Sequence, residues 1–327
     1  MSDAPLETPA TVAVPPRKSR KWIWVTLIVV ALMLLIAGCC GWTTWLAIKG
    51  GGDAGTGGGF GDAVAVIYID GTISGVDSGG TFTSGGNVTP ERVLKELKEA
   101  EDDEAVKAII LRIDSPGGTA SASSEIAMEV ARVKKPIIAS VGDVCASGSY
   151  MIASQCDEII STGSSDIGSI GVIMEVTDAS ALLDKMGVKF VSIHEGEFKD
   201  AGAPWRSLTA TETAMLESDI KLVYDDFIAV VAKGRKMGEP EVRKLATGWA
   251  WPGVRAKELG LVDRLGNYSD AIARAGRLGG IEGEPRVVKY RDESLSTLLS
   301  GLTSSIDRLG RLGSVAPDLL EGRPTLK

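Results

Sequence analysis

The sequence has few of the residues on which metal sites and serine–histidine pairs depend. Its 327 residues include one histidine, His194, and four cysteines, Cys39, Cys40, Cys145 and Cys156. Neither a C-x-x-C motif nor a Cys/His cluster with metal-ligand spacing occurs, so a structural metal site and a disulfide framework are not expected. If the protein has a catalytic site with a histidine as general base, that histidine can only be His194.

Long basic runs are absent as well. The net charge is -8, and the one basic cluster, between Arg17 and Lys21, directly precedes an apolar segment. Proteins that bind nucleic acid carry a basic footprint, so a nucleic-acid partner is excluded. The contents of apolar residues (44%) and charged residues (24%) are typical of a folded globular protein.

No charged residue occurs from Trp22 to Ile48, a stretch of 27 residues. At about 1.5 Å per helical residue, this stretch is long enough to cross a hydrocarbon core of about 30 Å. Tryptophans lie near both of its ends, as expected at two membrane interfaces. Because the basic cluster precedes the stretch, the positive-inside rule predicts a disordered cytoplasmic tail (1–21), a transmembrane anchor (22–48) and an extracytoplasmic domain.

Two other interpretations of this segment stay open. A cleaved signal peptide is disfavoured, because the apolar core of such peptides has roughly 7–15 residues. Ile36-Ala37-Gly38-Cys39 resembles the lipobox of a lipoprotein signal, although apolar sequence continues to Ile48. A lipoprotein would also be tethered to the membrane.

The rest of the chain divides into a glycine-rich linker (49–61), a domain (62–290) and a C-terminal tail (291–327). Within the domain, short β-branched runs alternate with segments of helical period, which predicts an α/β fold with mainly parallel strands. The predicted strands are Val64–Ile69, Ala108–Ile113, Pro136–Val141, Glu158–Ser161, Ile170–Met174 and Lys189–Ile193. The predicted helices are Pro90–Asp102, Ala120–Val133, Ser147–Ser154, Ala179–Met186, a long helix over 211–236 and two more segments within 240–280.

Three local motifs are candidates for chemistry. Asp114–Gly118 follows a predicted strand, and its glycine N–H groups are suited to hold an oxyanion or to pair with an extended peptide. Cys145–Tyr150 opens a helix with Ser147, which is suited either to cap the helix or to act as a nucleophile. Glu195–Gly202 contains Lys199, which is either a solvated cation or, if buried, a general base. Alone, each motif is compatible with a purely structural role.

Together and in this order, the motifs resemble the bacterial signal peptide peptidase A family. The resemblance runs from about Ala63 to Asn267, and its most discriminating element is the Gly-x-x-Lys-Asp-Ala-Gly motif that ends at Gly202. It implies a crotonase-like fold of stacked β-α units, shared with caseinolytic proteases. It also implies a serine–lysine peptidase that needs no metal and no organic cofactor. The other matching segments are Ile67–Ile73, Asp114–Gly118, Ala146–Tyr150, Ile167–Val172 and Glu258–Asp263.

The resemblance assigns roles to five residues. Ser147 aligns with the nucleophile of the family and Lys199 with its general base. Ser169 matches a serine that helps to orient the lysine, and the N–H groups of Gly118 and Gly148 are the expected oxyanion donors. Members of the family are anchored by an N-terminal helix, assemble into homo-oligomeric rings and degrade remnant signal peptides. The implied substrates are therefore apolar peptides at the membrane.

Two segments depart from the family pattern. Ser149 replaces a second glycine after the Ser-Gly pair, which adds a hydroxyl near the proposed nucleophile. Gly248–Gly253 reads GWAWPG where the family often has Gly-Arg-Val-Tyr-Thr-Gly. The two tryptophans are expected to change packing or a subunit contact. Neither departure touches the proposed dyad.

Three alternatives to this assignment stay open. His194 would give a serine–histidine mechanism, with Asp200 or Glu195 as the orienting carboxylate. An acyl-CoA enzyme on the same fold is possible in principle but disfavoured by the extracytoplasmic placement. A non-catalytic membrane scaffold would keep the fold without the chemistry, and a fluorophosphonate probe for reactive serines separates it from an enzyme.

Overall fold

Residues 61–76 and 87–290 are described by a computed structural model of the chain. The predicted cytoplasmic tail, anchor and C-terminal tail lie outside the described residues, and so does the linker up to residue 60. Among the described residues, no helix is both long enough and apolar enough to cross a membrane.

The described residues form eight strands and eight helices. The strands are β1 (Ala63–Asp70), β2 (Val106–Ser115), β3 (Ile137–Ala146), β4 (Glu158–Ser161), β5 (Asp166–Gly168), β6 (Ala250–Pro252), β7 (Arg264–Leu265) and β8 (Arg286–Tyr290). The helices are α1 (Pro90–Asp102), α2 (Ala120–Val130), α3 (Gly148–Ala153), α4 (Ser180–Lys185), α5 (Ala210–Arg235), α6 (Glu239–Leu245), α7 (Gly253–Glu258) and α8 (Tyr268–Leu278).

The strands belong to one sheet with the order β6-β5-β3-β2-β1-β8, with β4 beside β3 and β7 beside β4. All of these pairs are parallel except β5 with β6, which is antiparallel. The central strands are nearly continuous apolar runs, because helices cover both of their faces. The predicted α/β class is therefore confirmed.

Alternating side chains of the central strands supply two apolar cores. In β1, Ala65 and Ile67 face a core that includes side chains of α1, α2, α3 and α5, whereas Val64 and Val66 face a core with α8. This division follows from the two-residue period of a strand. Ile67 is completely buried, and burial of a side chain of this size contributes roughly 1.5–3 kcal/mol to folding.

Local signals fix where the first helix begins. Thr89 has an extended backbone and its side chain accepts a hydrogen bond from the Arg92 N–H, while Pro90 occupies the first helical turn. Both residue types are favoured at these positions, since the threonine oxygen satisfies an N–H that lacks a partner in the helix and proline fixes a helical φ. The prediction of a helix over Pro90–Asp102 is confirmed residue for residue.

Two of the predicted strands are wrong. Neither Ile170–Met174 nor Lys189–Ile193 forms a strand, and most of their apolar side chains are exposed; Ile193, for example, is 94% exposed. A strand needs a neighbouring strand to satisfy its backbone hydrogen bonds, and neither segment has one within the described residues. Their β-branched side chains form exposed apolar surface in place of a hydrogen-bonded strand.

The exposed end of the first segment and the whole of the second belong to a long insertion over residues 172–208, called the arm below. Its two legs are joined by the Asp178 carboxylate, which accepts a hydrogen bond from the Ser207 hydroxyl at 2.5 Å. The rings of Phe190 and Trp205 stack with their centroids 5.1 Å apart. Ten of the eighteen large exposed hydrophobic side chains of the described residues lie on the arm, so apolar surface is concentrated there.

Candidate active site

The ends of three neighbouring parallel strands meet at one edge of the sheet. Ser115 at the end of β2 lies opposite Cys145, and Ala146 at the end of β3 lies opposite Gly168 at the end of β5. The segments that follow these strands therefore begin side by side. Such carboxyl ends are the usual position of ligand sites in parallel sheets.

Ser147 occupies a strained position in the turn between β3 and α3. Its φ is 53° and its ψ is -124°, and its N–H donates to the Gly168 carbonyl at 2.7 Å. Within the described residues, only two other non-glycine residues have positive φ, Ser169 (47°) and Lys236 (55°). A non-glycine residue in this region costs on the order of 1–3 kcal/mol, and such residues are concentrated at functional sites.

The predicted oxyanion donors, Gly118 and Gly148, are adjacent. The Ile73 N–H donates to the Gly117 carbonyl at 2.9 Å, and the Thr119 N–H donates to the Ile73 carbonyl at 3.0 Å. In this parallel pairing, the N–H of the intervening Gly118 points away from Ile73. A Cβ atom added to Gly148 would lie only 3.5 Å from the Gly118 nitrogen, so the two backbones meet beside Ser147.

Close packing explains why glycine is required at both positions. A Cβ at Gly118 would lie 1.8 Å from the Ile73 carbonyl oxygen. A Cβ at Gly148 would lie 2.1 Å from the Ser123 hydroxyl oxygen. Both distances are far inside van der Waals contact, so a larger residue at Gly118 requires the backbone to move, and one at Gly148 requires Ser123 to be displaced.

Ser149, the first departure from the family pattern, is fully buried and joins two strand ends. Its hydroxyl lies 2.7 Å from the Ser115 carbonyl oxygen and 2.9 Å from the Ala146 carbonyl oxygen, and it donates to this pair of acceptors. The extra hydroxyl thus does not enter the cavity as a second nucleophile. It fastens the turn that carries Gly118 to the turn that carries Ser147.

A cavity of about 750 Å³ opens at this edge of the sheet. Four of the five predicted site residues line it: Gly118, Ser147, Gly148 and Ser169. Its walls are largely apolar, and α5 supplies much of one side. The apolar wall residues include Met151, Val172, Ile173, Ile220, Val223, Tyr224 and Phe227.

Ser169 is held by the segment that precedes β6. Its N–H donates to the Trp249 carbonyl at 3.0 Å, and its hydroxyl donates to the Gly248 carbonyl at 3.1 Å. The second departure from the family pattern, Gly248–Gly253, therefore contacts Ser169 directly. Backbone carbonyl groups of this segment accept both hydrogen bonds.

Lys199 lies in an exposed turn of the arm and is not among the described residues that line the cavity. Its N–H donates to the Gly196 carbonyl at 3.1 Å. His194 is on the arm too, where its Nδ1 lies 3.0 Å from the Ser192 hydroxyl and its Nε2 lies 3.7 Å from the Asp200 carboxylate. The structure of one chain thus brings neither candidate base to Ser147.

The two described cysteines are poor candidates for a nucleophile. Cys145 is fully buried directly before the site, and burial raises the pKa of its thiol to about 12. Burial also raises the pKa of the Cys156 thiol well above its ordinary value. Because the thiolate is the reactive form, neither side chain competes with Ser147.

Comparison with known proteins supports a peptidase site. A model of peptidase family S49 matches residues 129–282. A putative protease from Synechocystis is 38% identical over 212 residues, which cover 64% of this chain and 75% of that relative. The chain belongs to peptidase family S49. The matched region contains Ser147, Ser169 and Lys199 and begins after Gly118.

Other similar proteins differ in length from this chain. A putative signal peptide peptidase SppA from Enterococcus faecium is 35% identical, with the alignment covering 66% of this chain and 63% of that protein. Protease 4 from Haemophilus influenzae is also 35% identical, but only 34% of its length is covered. The chain therefore spans a third to three quarters of the length of these relatives.

Sequence reasoning missed one feature of this cavity and one feature of the arm. The apolar stripe of α5 indicated a helix with a buried face, whereas Ile220, Val223 and Tyr224 line the cavity. The apolar period of the α5 sequence predicts which face of the helix is apolar, but it does not predict whether that face packs against the core or lines a cavity. Sequence reasoning also missed Arg206 and Glu212, whose ion pair lies seven and thirteen residues beyond Lys199. The capping pattern Thr209-x-x-Glu212 was the available signal for the second of them.

Proposed function

We propose that this chain is a serine endopeptidase in which Ser147 is the nucleophile and Lys199 the general base. The observation that carries the proposal is the position of Ser147: its backbone is strained, it opens a helix, and the Gly118 and Gly148 amides lie beside it in a cavity. A sharp strand-to-helix turn presents a serine oxygen to substrate while leaving backbone N–H groups free for an oxyanion. Membership of peptidase family S49 supports this chemistry.

The proposed reaction has two stages. The Ser147 hydroxyl oxygen attacks the carbonyl carbon of the scissile peptide while its proton passes to the neutral amine of Lys199. The Gly118 and Gly148 N–H groups hold the oxyanion. The resulting lysine ammonium protonates the departing amine, and an acyl-enzyme forms on Ser147. Water, deprotonated by Lys199, then hydrolyses the ester and restores both residues.

The proposed substrates are remnant signal peptides and other apolar peptides. Met151, Val172 and most of the α5 side chains that line the cavity are apolar, which suits the apolar core of such peptides; Glu217 and Lys221 of α5 add two charged groups to this wall. Gly118 forms an isolated parallel bridge with Ile73 and no other bridge to the described residues, so its other side is available for an extended peptide. The name of the relative from Enterococcus faecium, a putative signal peptide peptidase, is consistent with this substrate class.

We also propose that Lys199 reaches Ser147 from a second copy of the chain, within a ring-shaped homo-oligomer. Lys199 does not line the cavity of its own chain, and the arm that carries it exposes a concentration of apolar side chains, including Val191 (84% exposed) and Ile193. Large exposed apolar patches mark interaction sites. Covering the arm with a neighbouring subunit would also remove water from Lys199, which favours its neutral form.

The proposed location is the membrane, with residues 22–48 as a single-pass anchor, the N-terminus in the cytoplasm and the peptidase domain outside. The uncharged stretch and the basic cluster before it support this orientation. The proposed fold family is the crotonase-like one that the motif resemblance implies, and the parallel order β3-β2-β1 with helices on both faces is consistent with it.

The test is turnover of an apolar signal peptide by the full-length protein in detergent, together with labelling by a fluorophosphonate. We expect both Ser147→Ala and Lys199→Ala to abolish turnover. Only Ser147→Ala removes the hydroxyl group to which the fluorophosphonate attaches. His194→Ala is expected to retain most activity, because His194 contacts Asp200 and not the cavity. If the wild-type protein neither turns over peptide nor takes the probe, the protein is a scaffold and the proposal is wrong.

A further inference from the structure

An ion-pair network lies at the base of the turn that carries Lys199. One guanidinium nitrogen of Arg206 donates to the Asp200 carboxylate at 2.7 Å and to the Glu212 carboxylate at 2.5 Å. The second terminal nitrogen of Arg206 donates to the other Glu212 oxygen at 2.9 Å. Arg206 thus holds two carboxylates at once, and Asp200 is the residue next to Lys199.

The far end of the network is anchored in a helix. The Glu212 side chain is only 3% exposed and lies in the first turn of α5. Its carboxylate also accepts a hydrogen bond from the Thr209 N–H at 2.8 Å, and the Thr209 hydroxyl accepts one from the Glu212 N–H at 3.2 Å. This reciprocal capping box fixes Glu212 relative to the helix axis.

The electrostatic environment favours this fully charged arrangement. Hydrogen bonds from Arg206, followed by the Thr209 amide, lower the pKa of Glu212 to about 2. Hydrogen bonding to Arg206 is also the largest cause that lowers the pKa of Asp200, and the Nε2 atom of His194 lies 3.7 Å from this carboxylate. The planar guanidinium offers several donors in a fixed geometry, which a lysine ammonium does not.

We propose that Arg206 is a positioning residue for Lys199: it fastens the exposed turn Gly196–Gly202 to the rigid start of α5 through Asp200 and Glu212. This inference rests on the proposed role of Lys199 as the general base. The network lies within one chain, so it acts whichever copy contributes the cavity. The first turn of α5 holds Glu212, so in this arrangement it sets where the turn that carries Lys199 is held.

Loss of Arg206 has two expected consequences for catalysis. The turn loses its attachment to α5, and misplacement of a catalytic group by about 1 Å costs on the order of 100-fold in rate. In addition, the Asp200 carboxylate is left without its main partner beside Lys199. A carboxylate that is not neutralised favours the protonated amine, which is inactive as a base.

The experiment compares full-length Arg206→Met, Arg206→Lys, Asp200→Asn and the double variant Arg206→Met/Asp200→Asn in peptide turnover. Arg132→Met is the matched control, because Arg132 forms an exposed ion pair with Glu129 away from the arm. All variants are also made in a His194→Gln background, which removes titration of the only histidine. The readouts are kcat and KM as functions of pH, and the thermal unfolding midpoint.

We expect Arg206→Met to lower kcat about 100-fold with KM within about twofold of wild type. In the profile of kcat against pH, the fall in activity on the acidic side should shift to higher pH by about one unit in Arg206→Met. In the double variant it should return towards the wild-type position. Arg206→Lys should give an intermediate loss. Asp200→Asn keeps the Arg206–Glu212 pair, so it should lower kcat without lowering the unfolding midpoint.

Two results would overturn the inference while leaving the proposed function intact. The first is that Arg206→Met and Asp200→Asn both have the same kcat as the wild-type protein. The other is a loss of activity in Arg206→Met that equals its loss of folded protein, with the acidic limb unchanged and Asp200→Asn fully active, which would make the network structural only. An inert wild-type protein would instead reject the proposed function itself.

Discussion

At the scale of single residues, the candidate site depends on backbone positions that ordinary residues avoid. Ser147 and Ser169 both have positive φ, and both line the same cavity. Gly118 and Gly148 lie so close to Ile73 and Ser123 that neither has room for a Cβ atom. These residues are held by strand ends on either side, which is how strain of a few kcal/mol is maintained in a folded protein.

Substitution of Gly118 tests the oxyanion assignment. A Cβ there would meet the Ile73 carbonyl oxygen at 1.8 Å, so Gly118→Ala must shift the turn and misdirect its N–H. We expect turnover to fall by about 100-fold to 1,000-fold, the usual cost of losing one oxyanion donor. Steady-state kinetics and the unfolding midpoint measure the effect.

Gly238→Ala serves as the control for that substitution. A Cβ at Gly238 would lie 3.7 Å from Pro240, an ordinary contact, and Gly238 is outside the cavity. It should leave turnover unchanged. Wild-type turnover by folded Gly118→Ala would show that this amide does not act on the reaction.

Removal of the Ser149 hydroxyl tests whether the departure from the family pattern is structural. Ser149→Ala loses the hydrogen bond to the Ser115 and Ala146 carbonyls, and its free energy of unfolding should fall by about 1 kcal/mol. Ser149→Gly should be less stable still, because glycine is unfavourable within a helix. Urea unfolding of both variants measures this order, and equal stability of the wild-type protein and Ser149→Ala would contradict it.

At the scale of secondary-structure elements, α5 connects the cavity to the arm. Its side chains Ile220, Tyr224 and Phe227 line the cavity, while its first turn holds Glu212 and the capping box with Thr209. The same helix therefore shapes the proposed substrate site and anchors the segment that carries Lys199. The ion pair at its start makes this anchoring sensitive to acid.

The Glu212 carboxylate predicts how stability changes with pH. Its pKa falls from an ordinary 4.5 to about 2, so its contribution is fully present above about pH 4.5 and is lost as the pH falls towards 2. We expect the difference in unfolding free energy between the wild-type protein and Glu212→Gln to shrink across this window. Urea unfolding at several pH values measures it. A difference that stays constant down to pH 2 would show that the pair does not couple to folding.

At the scale of the whole molecule, the site of one chain is incomplete for the proposed chemistry. The nucleophile, the oxyanion donors and the apolar walls share one cavity, but Lys199 lies on an exposed arm. Exposed apolar residues such as Ile193 give this arm the composition of an interface. A heterologous contact repeated between copies produces a ring when the rotation closes.

Mixing two inactive variants tests the shared site. Ser147→Ala and Lys199→Ala are each expected to be inert, but co-assembled subunits should recover about a quarter of wild-type turnover if each site takes one residue from each of two copies. Activity of the co-expressed, co-purified mixture measures this. No recovery in a verified mixed oligomer would place both residues in one chain.

Ile193→Lys and Met128→Lys form the matched pair for assembly. Ile193 is 94% exposed on the arm, and Met128 is 53% exposed on α2. Only the first should lower the mass of the oligomer in light scattering and lower turnover with it. Equal assembly by both variants would exclude this part of the arm from the interface.

Much of the fold could be predicted from the sequence, because individual helices and strands depend on local residue patterns. The α/β class, the helix Pro90–Asp102 and the strand Glu158–Ser161 follow from periodicity and end signals, and the structure has them. The predicted strand Lys189–Ile193 was wrong because its composition is that of a strand but none of the residues that the structure describes pairs with it. Composition alone does not tell an unpaired apolar segment from a paired one.

The sequence by itself determined the motifs, their order and the chemical types available, because these depend only on residue identity and spacing. It also determined that residues 22–48, the proposed anchor, are uncharged. Only the tertiary structure decided that Gly118, Ser147, Gly148 and Ser169 share a cavity, because parallel pairing brings strand ends together that are far apart in the chain. It alone placed Lys199 away from that cavity, since no local signal states which surface an arm will face.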